Sequence, residues 1–251
     1  MVEWGGLWHS MTHHGVCSNA NKGIAFQQCM ASIANLRQAL REASVIVITF
    51  GTAWIYEYST QFPNVDNFST KVVANCHNMP ANWFVRRRLS LEEIVSVWQP
   101  LINSMPEKHW IFTVSPIRHI KDGLHENQLS KSILLQAVDS LAAKRSSDMT
   151  FNEPLISYFP AYEIMIDELR DYRFYADDLV HPSTMAIEYI WQRFGEAFLN
   201  SSTREEMLPL YQLWRDRHHT FLHPESDEAI AFQQRIQKRI EDLQTRYPWI
   251  Q

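Results

Sequence analysis

Val45-Ile46-Val47-Ile48-Thr49-Phe50-Gly51 is a short apolar run, rich in β-branched residues and closed by a glycine. A strand with one wet face alternates apolar with polar residues. A run that stays apolar is the pattern of a strand covered on both faces of a parallel sheet. It is also far too short to span a bilayer. Residues 110–114 and 155–159 repeat the pattern, with helical periodicity around and between them. Phe26, Met30, Ile33, Leu36 and Leu40 recur at helical spacing over 21–43. Ser90-Leu91-Glu92-Glu93 is a capping box that opens a helix to about residue 104. Ile133, Leu134, Ala137 and Leu141 share one face of a helix over 127–145, a helical turn is expected near 164–169, and 185–199 reads as a further helix. Strands alternating with helices predict an α/β fold wound around a parallel sheet, with its working residues at the carboxyl ends of the strands.

Residues 1–20 read as an irregular segment and 57–88 as an extended loop region. Past residue 200 the pattern changes to two helices, over 203–222 and 226–246. Ile230, Ile236, Ile240 and Leu243 form a stripe on the second. The expected organisation is an α/β domain over 1–200 and a helical extension over 201–251. The extension is either a hairpin on the domain edge or a self-association surface.

Composition narrows the function classes. A formal charge of -5 argues against a nucleic-acid binder, and Arg86-Arg87-Arg88 reads as a solvated loop or ion-pair site before a phosphate groove. Cys17, Cys29 and Cys76 have no metal-ligand spacing and leave an odd count, the pattern of reduced thiols in a cytoplasmic protein. No charged-then-apolar leader opens the chain, so secretion is not expected. His13-His14 and His218-His219 are adjacent pairs without a third ligand at zinc spacing, so neither a metal nor a cofactor is expected. Seven glycines against nine tryptophans suggest few flexible loops and a core or cleft rich in aromatic surface.

Four segments carry candidate chemistry. Asp178-Leu179-Val180-His181 sets a carboxylate three residues before an imidazole, with Pro182 fitting the first position of a helix. A carboxylate on one ring nitrogen fixes the tautomer and frees the other nitrogen as a base. The alternative is a helix-cap aspartate beside a surface histidine. At Gly51-Thr52-Ala53-Trp54 a strand end allows close backbone approach to a ligand, and its N–H groups could stabilise an oxyanion; a plain strand-terminating glycine is the alternative. In Asn75-Cys76-His77, Asn75 could donate to an oxyanion, His77 could bind substrate, and Cys76 could be a thiol nucleophile. In Ser115-Pro116-Ile117-Arg118-His119, Arg118 and His119 could reach a carboxylate or phosphate. Ser115 lacks the Gly-x-Ser-x-Gly elbow that exposes a nucleophile, and a turn-forming Ser-Pro is its simpler account.

Leu7-Trp8-His9-Ser10 with His13-His14, Thr49-Phe50-Gly51-Thr52-Ala53-Trp54, Asn75-Cys76-His77, residues 113–119, residues 158–163, and the block from Asp171 through Ser183 together resemble the GSCFA domain family. The resemblance covers roughly residues 4–200. That family is similar to the SGNH (GDSL-like) hydrolases, which implies a flavodoxin-like three-layer α/β/α fold and acyl-ester hydrolysis or transfer. It implies a nucleophilic serine in an N-terminal block, an oxyanion hole built from backbone N–H, a glycine and an asparagine, and an acid and base from a late D-x-x-H. Carried over, Asp178 orients His181, and His181 is the general base. The Gly51 block stands where the superfamily has Gly-x-Asn-Asp, but no asparagine follows Gly51, so Asn75 is the replacement candidate. The Gly-Ser-Cys-Phe-Ala string that names the family is not in this sequence. Its first strand and serine are expected to be missing, through truncation, a gene fragment or a shortened homologue.

The resulting expectation is an SGNH-like esterase or acyltransferase domain for a small acyl ester on a saccharide or lipid, inactive or impaired without its serine. The rivals are a ligand-binding homologue without turnover and a hydrolase with Ser115 or Cys76 as substitute nucleophile. A missing first strand also predicts an exposed sheet edge or apolar surface, and with it homo-oligomerisation.

Overall fold

In the computed structural model, which describes residues 1–63, 71–143, 154–217, 221 and 225–247, the chain opens on an antiparallel hairpin of β1 (Val2–Trp4) and β2 (Leu7–His9). Gly5 and Gly6 turn it with φ of 58° and 76°, the left-handed pair that a two-residue hairpin loop requires and glycine adopts without penalty. A 3₁₀ turn follows at Gly15–Cys17. This corrects the expectation of an irregular start. The Gly-Gly turn signal was present, but three-residue strands are too short to display alternation.

Helix α1 (Lys22–Glu42) starts where the Asn21 side chain accepts from the Gly23 and Ile24 amides, satisfying two of the orphan donors of the first turn. Its buried residues are Ala25 and Cys29. Of the stripe read at helical spacing, Phe26 and Leu36 are 55% and 60% exposed, while Leu40 packs against the core. The small side of the helix packs against β2 and the 3₁₀ turn, because small side chains permit the closer approach.

The three apolar runs form the expected parallel sheet, but the first of them is an outer strand covered on one face only, with Val45 and Val47 47% and 50% exposed. Between the first two strands of that sheet the chain inserts a second, antiparallel one. Strand β3 (Val45–Phe50) is followed by β4 (Trp54–Tyr58), β5 (Val72–Val73) and β6 (Phe84–Arg88), with β4 central. The region 57–88 is therefore not a single extended loop: it holds the end of β4, β5 and β6, joined by turns, while residues 64–70 lie outside the described residues. The arginine run on β6 hid the strand: Arg86, Arg87 and Arg88 pair in register with Tyr56, Ile55 and Trp54. Arg87 hydrogen-bonds Glu57 at 3.0 Å and Glu93 at 2.9 Å, Arg88 bonds Glu126 at 2.7 Å, and Arg86 bonds Asp122. The basic cluster is an ion-pair site.

Helix α2 (Leu91–Asn103) opens on the capping box read from Ser90 and Glu93, with both reciprocal bonds made. Strand β7 (His109–Val114), helix α3 (Leu124–Ala143) and strand β8 (Leu155–Phe159) complete the α/β unit. The sheet order is β3–β7–β8, with Phe50 opposite Val114 and Thr113 opposite Phe159. Ile46, Trp110, Phe112 and Ile156 project from one face of that sheet onto Ile102 of α2 and Val138 and Leu141 of α3. Each such side chain contributes roughly 1.5–3 kcal/mol by leaving water. In-register parallel strands bring Gly51, Ser115 and Pro160 to one edge.

After β8, α4 (Ala161–Glu163) runs into a π-helical turn, Ile164–Glu168. Helix α5 (Thr184–Phe198) follows the Asp178–His181 loop. The chain divides into two compact units, Met1–Ile187 and Glu188–Gln251. Within the second, α6 (Ser201–Arg217) and α7 (Asp227–Arg246) pack together, joined by ion pairs from Asp216 to Arg239 and from Glu206 to Arg246 at 3.6 Å. The end of the helix expected over 203–222, with His218-His219, falls at 218–220 and 222, outside the described residues. No helix among the described residues is long and apolar enough to cross a membrane.

Candidate active site

Helix α3 ties down the strand ends. The Lys131 ammonium, 1% exposed, donates to the Gly51 carbonyl and the Ser115 carbonyl, each at 2.6 Å. One residue earlier, Ser130 Oγ accepts from the Ala53 amide at 2.7 Å and lies 3.0 Å from Thr52 Oγ1. Asn127 Oδ1 accepts from the His119 amide at 2.9 Å. Two loops that leave different strands are thus fastened to one helix. Burial lowers the Lys131 pKa to about 8, since desolvation disfavours the charged form. Burial also lowers His119, whose ring lies over Gly51. A β-carbon at Gly51 would stand 3.8 Å from His119 Nε2, an ordinary contact, so sterics alone do not require glycine there. Ser115 Oγ accepts from the Ile117 amide at 3.2 Å, as a Ser-Pro turn would have it.

The loop after β7 then meets the Asp178–His181 loop. The Arg118 amide donates to the Val180 carbonyl at 3.2 Å, and its guanidinium lies 3.9 Å from the centre of the Tyr175 ring. Tyr175 bridges to Pro182, and the Ala176 amide donates to the His181 carbonyl at 2.8 Å, closing the loop at its neck. Pro182 accordingly sits in this bridge and not at the first helical position expected for it. Helix α5 begins at Thr184, with Ser183 Oγ accepting from the Ala186 amide at 3.4 Å.

Inside the loop the spacing does what the sequence suggested. Asp178 Oδ1 accepts from the Val180 and His181 amides, each at 2.9 Å, and Oδ2 stands 2.6 Å from His181 Nδ1. The first two bonds are those of a local cap, so the cap and the dyad are one arrangement. The His181 amide, then its imidazole and the Val180 amide, bring the Asp178 carboxyl down from 3.8 to about 2. An ionised Asp178 has no proton to give, so Nδ1 carries the proton and Nε2 presents its lone pair. Nε2 has no hydrogen-bond partner among the described residues, and the two side chains are about half exposed (49% and 56%). Leu179 is held at φ 56° to make the turn, a conformation that costs a non-glycine residue about 1 kcal/mol or more.

The lowered pKa has a direct check. Because the folded value lies below the ordinary 3.8, this carboxylate's contribution to stability is present above pH 3.8 and lost as pH falls through about 2. Carboxyl ¹³C NMR should place the Asp178 midpoint near 2; a midpoint near 3.8 would show that the bonds to Val180 and His181 are not made in solution.

The other sequence candidates divide. Gly51, Thr52, Ser115, Arg118 and His119 gather at the strand ends. Trp54, next along, lies beneath the Arg86 and Arg88 guanidinium groups, 4.9 and 5.7 Å from its ring centre, and its buried indole N–H has no acceptor among the described residues. Asn75 and His77 belong to a different cluster. Asn75 Oδ1 accepts from the His77 amide at 2.9 Å, and His77 Nε2 meets the Ser10 carbonyl at 2.9 Å while its ring packs 4.5 Å from His9. Cys76 packs beside Met11, Tyr58 and Phe62, and burial raises its thiol pKa. No contact joins Asn75, Cys76 or His77 to His181 among the described residues.

Sequence reasoning missed Asn127, Ser130 and Lys131. Their signal was positional: Asn127 stands three and four residues before Ser130 and Lys131, which stand four and three before Leu134, on the apolar face that continues through Leu141. A polar residue on a buried face needs a partner, and here the partners are strand-end backbone groups. Among the described residues no three His, Cys, Asp or Glu side chains are grouped to hold a metal ion.

The GSCFA family model matches residues 1–194. The chain belongs to the GSCFA family. No curated protein and no solved structure matches it. The GSCFA match takes in the β1–β2 hairpin, both three-stranded sheets, α3 and the Asp178–His181 loop, and ends within α5, so α6 and α7 lie beyond it.

Proposed function

We propose that this GSCFA domain handles an acyl ester, with His181 as general base and Asp178 as the group that orients it. The observation that carries this is the 2.6 Å contact of Asp178 Oδ2 with Nδ1, which leaves Nε2 of the half-exposed imidazole without a hydrogen-bond partner among the described residues. In acyl transfer, Nε2 takes the proton of an attacking hydroxyl, the imidazolium is steadied by Asp178, and the proton passes to the leaving alcohol. The backbone at Gly51 and Thr52, with Trp54 and His119, lines the strand-end side. The proposed source of the hydroxyl is a serine in a Gly-Ser-Cys-Phe-Ala block, as the resemblance to SGNH hydrolases implies. Ser115 and Cys76 are engaged elsewhere and are not proposed for that role. The test is hydrolysis of p-nitrophenyl acetate by the chain preceded by a family Gly-Ser-Cys-Phe-Ala block. No turnover by that form would sink the proposal.

One observation favours a second function, binding without turnover: neither a serine hydroxyl nor a thiol contacts His181 Nε2 among the described residues. Turnover by the block-bearing form decides between the two.

Self-association is also proposed. The exposed α1 stripe of Phe26, Met30 and Leu36 lies open, as do Val45 and Val47 on the outer strand β3, and apolar patches of this kind drive association. Light scattering should give a mass above the 29.5 kDa of one chain, falling toward it in Phe26→Asp/Leu36→Asp. A monomer at all concentrations would contradict this.

A further inference from the structure

Arg118 differs from the other arginines near the strand ends. Arg86, Arg87 and Arg88 are each committed to a carboxylate: Asp122, the Glu57 and Glu93 pair, and Glu126. Arg118 has no carboxylate partner among the described residues. Its guanidinium makes one long hydrogen bond, Nη1 to the Leu179 carbonyl at 3.4 Å, and otherwise rests on the Tyr175 ring. An aromatic face under a guanidinium fixes its position while leaving N–H groups at its edge free. Those free groups are a fork matched to two oxygens of a carboxylate or phosphate.

The support for this arginine is built into the loop that carries the base. The Leu179 and Val180 carbonyls turn toward Arg118, while the Val180 and His181 amides turn toward Asp178. Leu179 takes its positive φ at the point where the peptide groups divide in this way. The same short loop therefore holds both the Asp178–His181 pair and the Arg118 cation.

We propose that Arg118 is the specificity-determining residue of this site, and that the acyl ester it accepts carries an oxyanion, a carboxylate or phosphate, near the bond under attack. This rests on the acyl-transfer function proposed for Asp178 and His181. A neutral acetylated sugar would leave Arg118 without a partner; an ester bearing an acid group would be held by the fork with its carbonyl toward the dyad.

The experiment is a titration of the 251-residue chain, followed by ¹H–¹⁵N NMR of the arginine Nε–H and the loop amides. The probes are inorganic phosphate, acetate and, as an uncharged control, acetamide. Phosphate or acetate should shift the Arg118 Nε–H together with the Leu179, Val180 and His181 amides, and acetamide should not. Whichever anion saturates at the lower concentration identifies the substrate's acid group. Arg118→Gln should abolish the shifts. Arg118→Lys, which keeps the charge and loses the fork, should weaken binding by about tenfold, with an unchanged melting temperature as the check on folding. A purely structural Arg118 would leave anion shifts intact in Arg118→Lys. That result, equal shifts with acetamide, or no shift with either anion would overturn the proposal. Since the readout is binding, its failure leaves the acyl-transfer function standing, and failure of ester hydrolysis leaves the anion site standing.

Discussion

Lys131→Met is expected to destabilise the fold more than any other single change at the strand ends. The side chain is 1% exposed and holds two carbonyls, Gly51 and Ser115, each at 2.6 Å. Methionine matches its length and fills the space but donates nothing. Two buried carbonyls would then lack partners, at about 1–3 kcal/mol each, so urea unfolding should show a loss of about 2–6 kcal/mol. Part of the loss depends on pH. The folded pKa of about 8 lies below the ordinary 10.5, so between these values the unfolded chain binds more protons and the stability of the native protein rises with pH. Below about pH 8 the buried ammonium is charged in both states and that gain is absent. A neutral amine still has two N–H donors for the two carbonyls. The difference in unfolding free energy between the native protein and Lys131→Met should therefore widen from pH 8 to 10.5. A difference that stays flat or narrows over that window would place the Lys131 ammonium in solvent.

The second large effect is at Asp178. Asp178→Asn keeps the shape of the loop but offers one oxygen and one NH₂ in place of two acceptors. If its oxygen keeps the Val180 and His181 amides, its NH₂ faces Nδ1, which must then accept; the proton moves to Nε2, the nitrogen that should receive the attacking hydroxyl's proton. In the serine-protease example of this arrangement the same exchange lowers turnover by about 10⁴-fold. A loss of about 10³–10⁴-fold in kcat for p-nitrophenyl acetate is expected here in the block-bearing form, with KM little changed, since Asp178 does not touch the ester. Raised KM at constant kcat would instead make Asp178 a binding residue.

What the sequence disclosed and what it hid follow from range. Patterns that repeat within one element were readable. The apolar runs at 45–50 and 155–159 are the parallel strands β3 and β8, and the capping box at Ser90 opens α2 as drawn. The Asp178–His181 contact was legible for the same reason, since three residues of one tight loop bring both groups together. Long-range pairing was not legible. Strand β6 was masked because its arginines are neutralised by partners as distant in sequence as Asp122 and Glu126. The apolar stripe on α1 was legible, but not that Phe26 and Leu36 are left exposed, because periodicity says that a face is apolar, not that anything covers it. Lys131 was overlooked because its place on the apolar face says only that it needs a partner, and the partners are backbone carbonyls that no residue identity marks. Arg118 was noticed as a cation, but that no carboxylate among the described residues pairs with it is a property of the fold.

The most direct measurement is the initial rate of p-nitrophenyl acetate hydrolysis by the block-bearing form and by the same protein with His181→Ala. The proposed chemistry predicts a rate well above buffer that falls by about 10³-fold or more with the imidazole gone. Equal rates for the two proteins would contradict it.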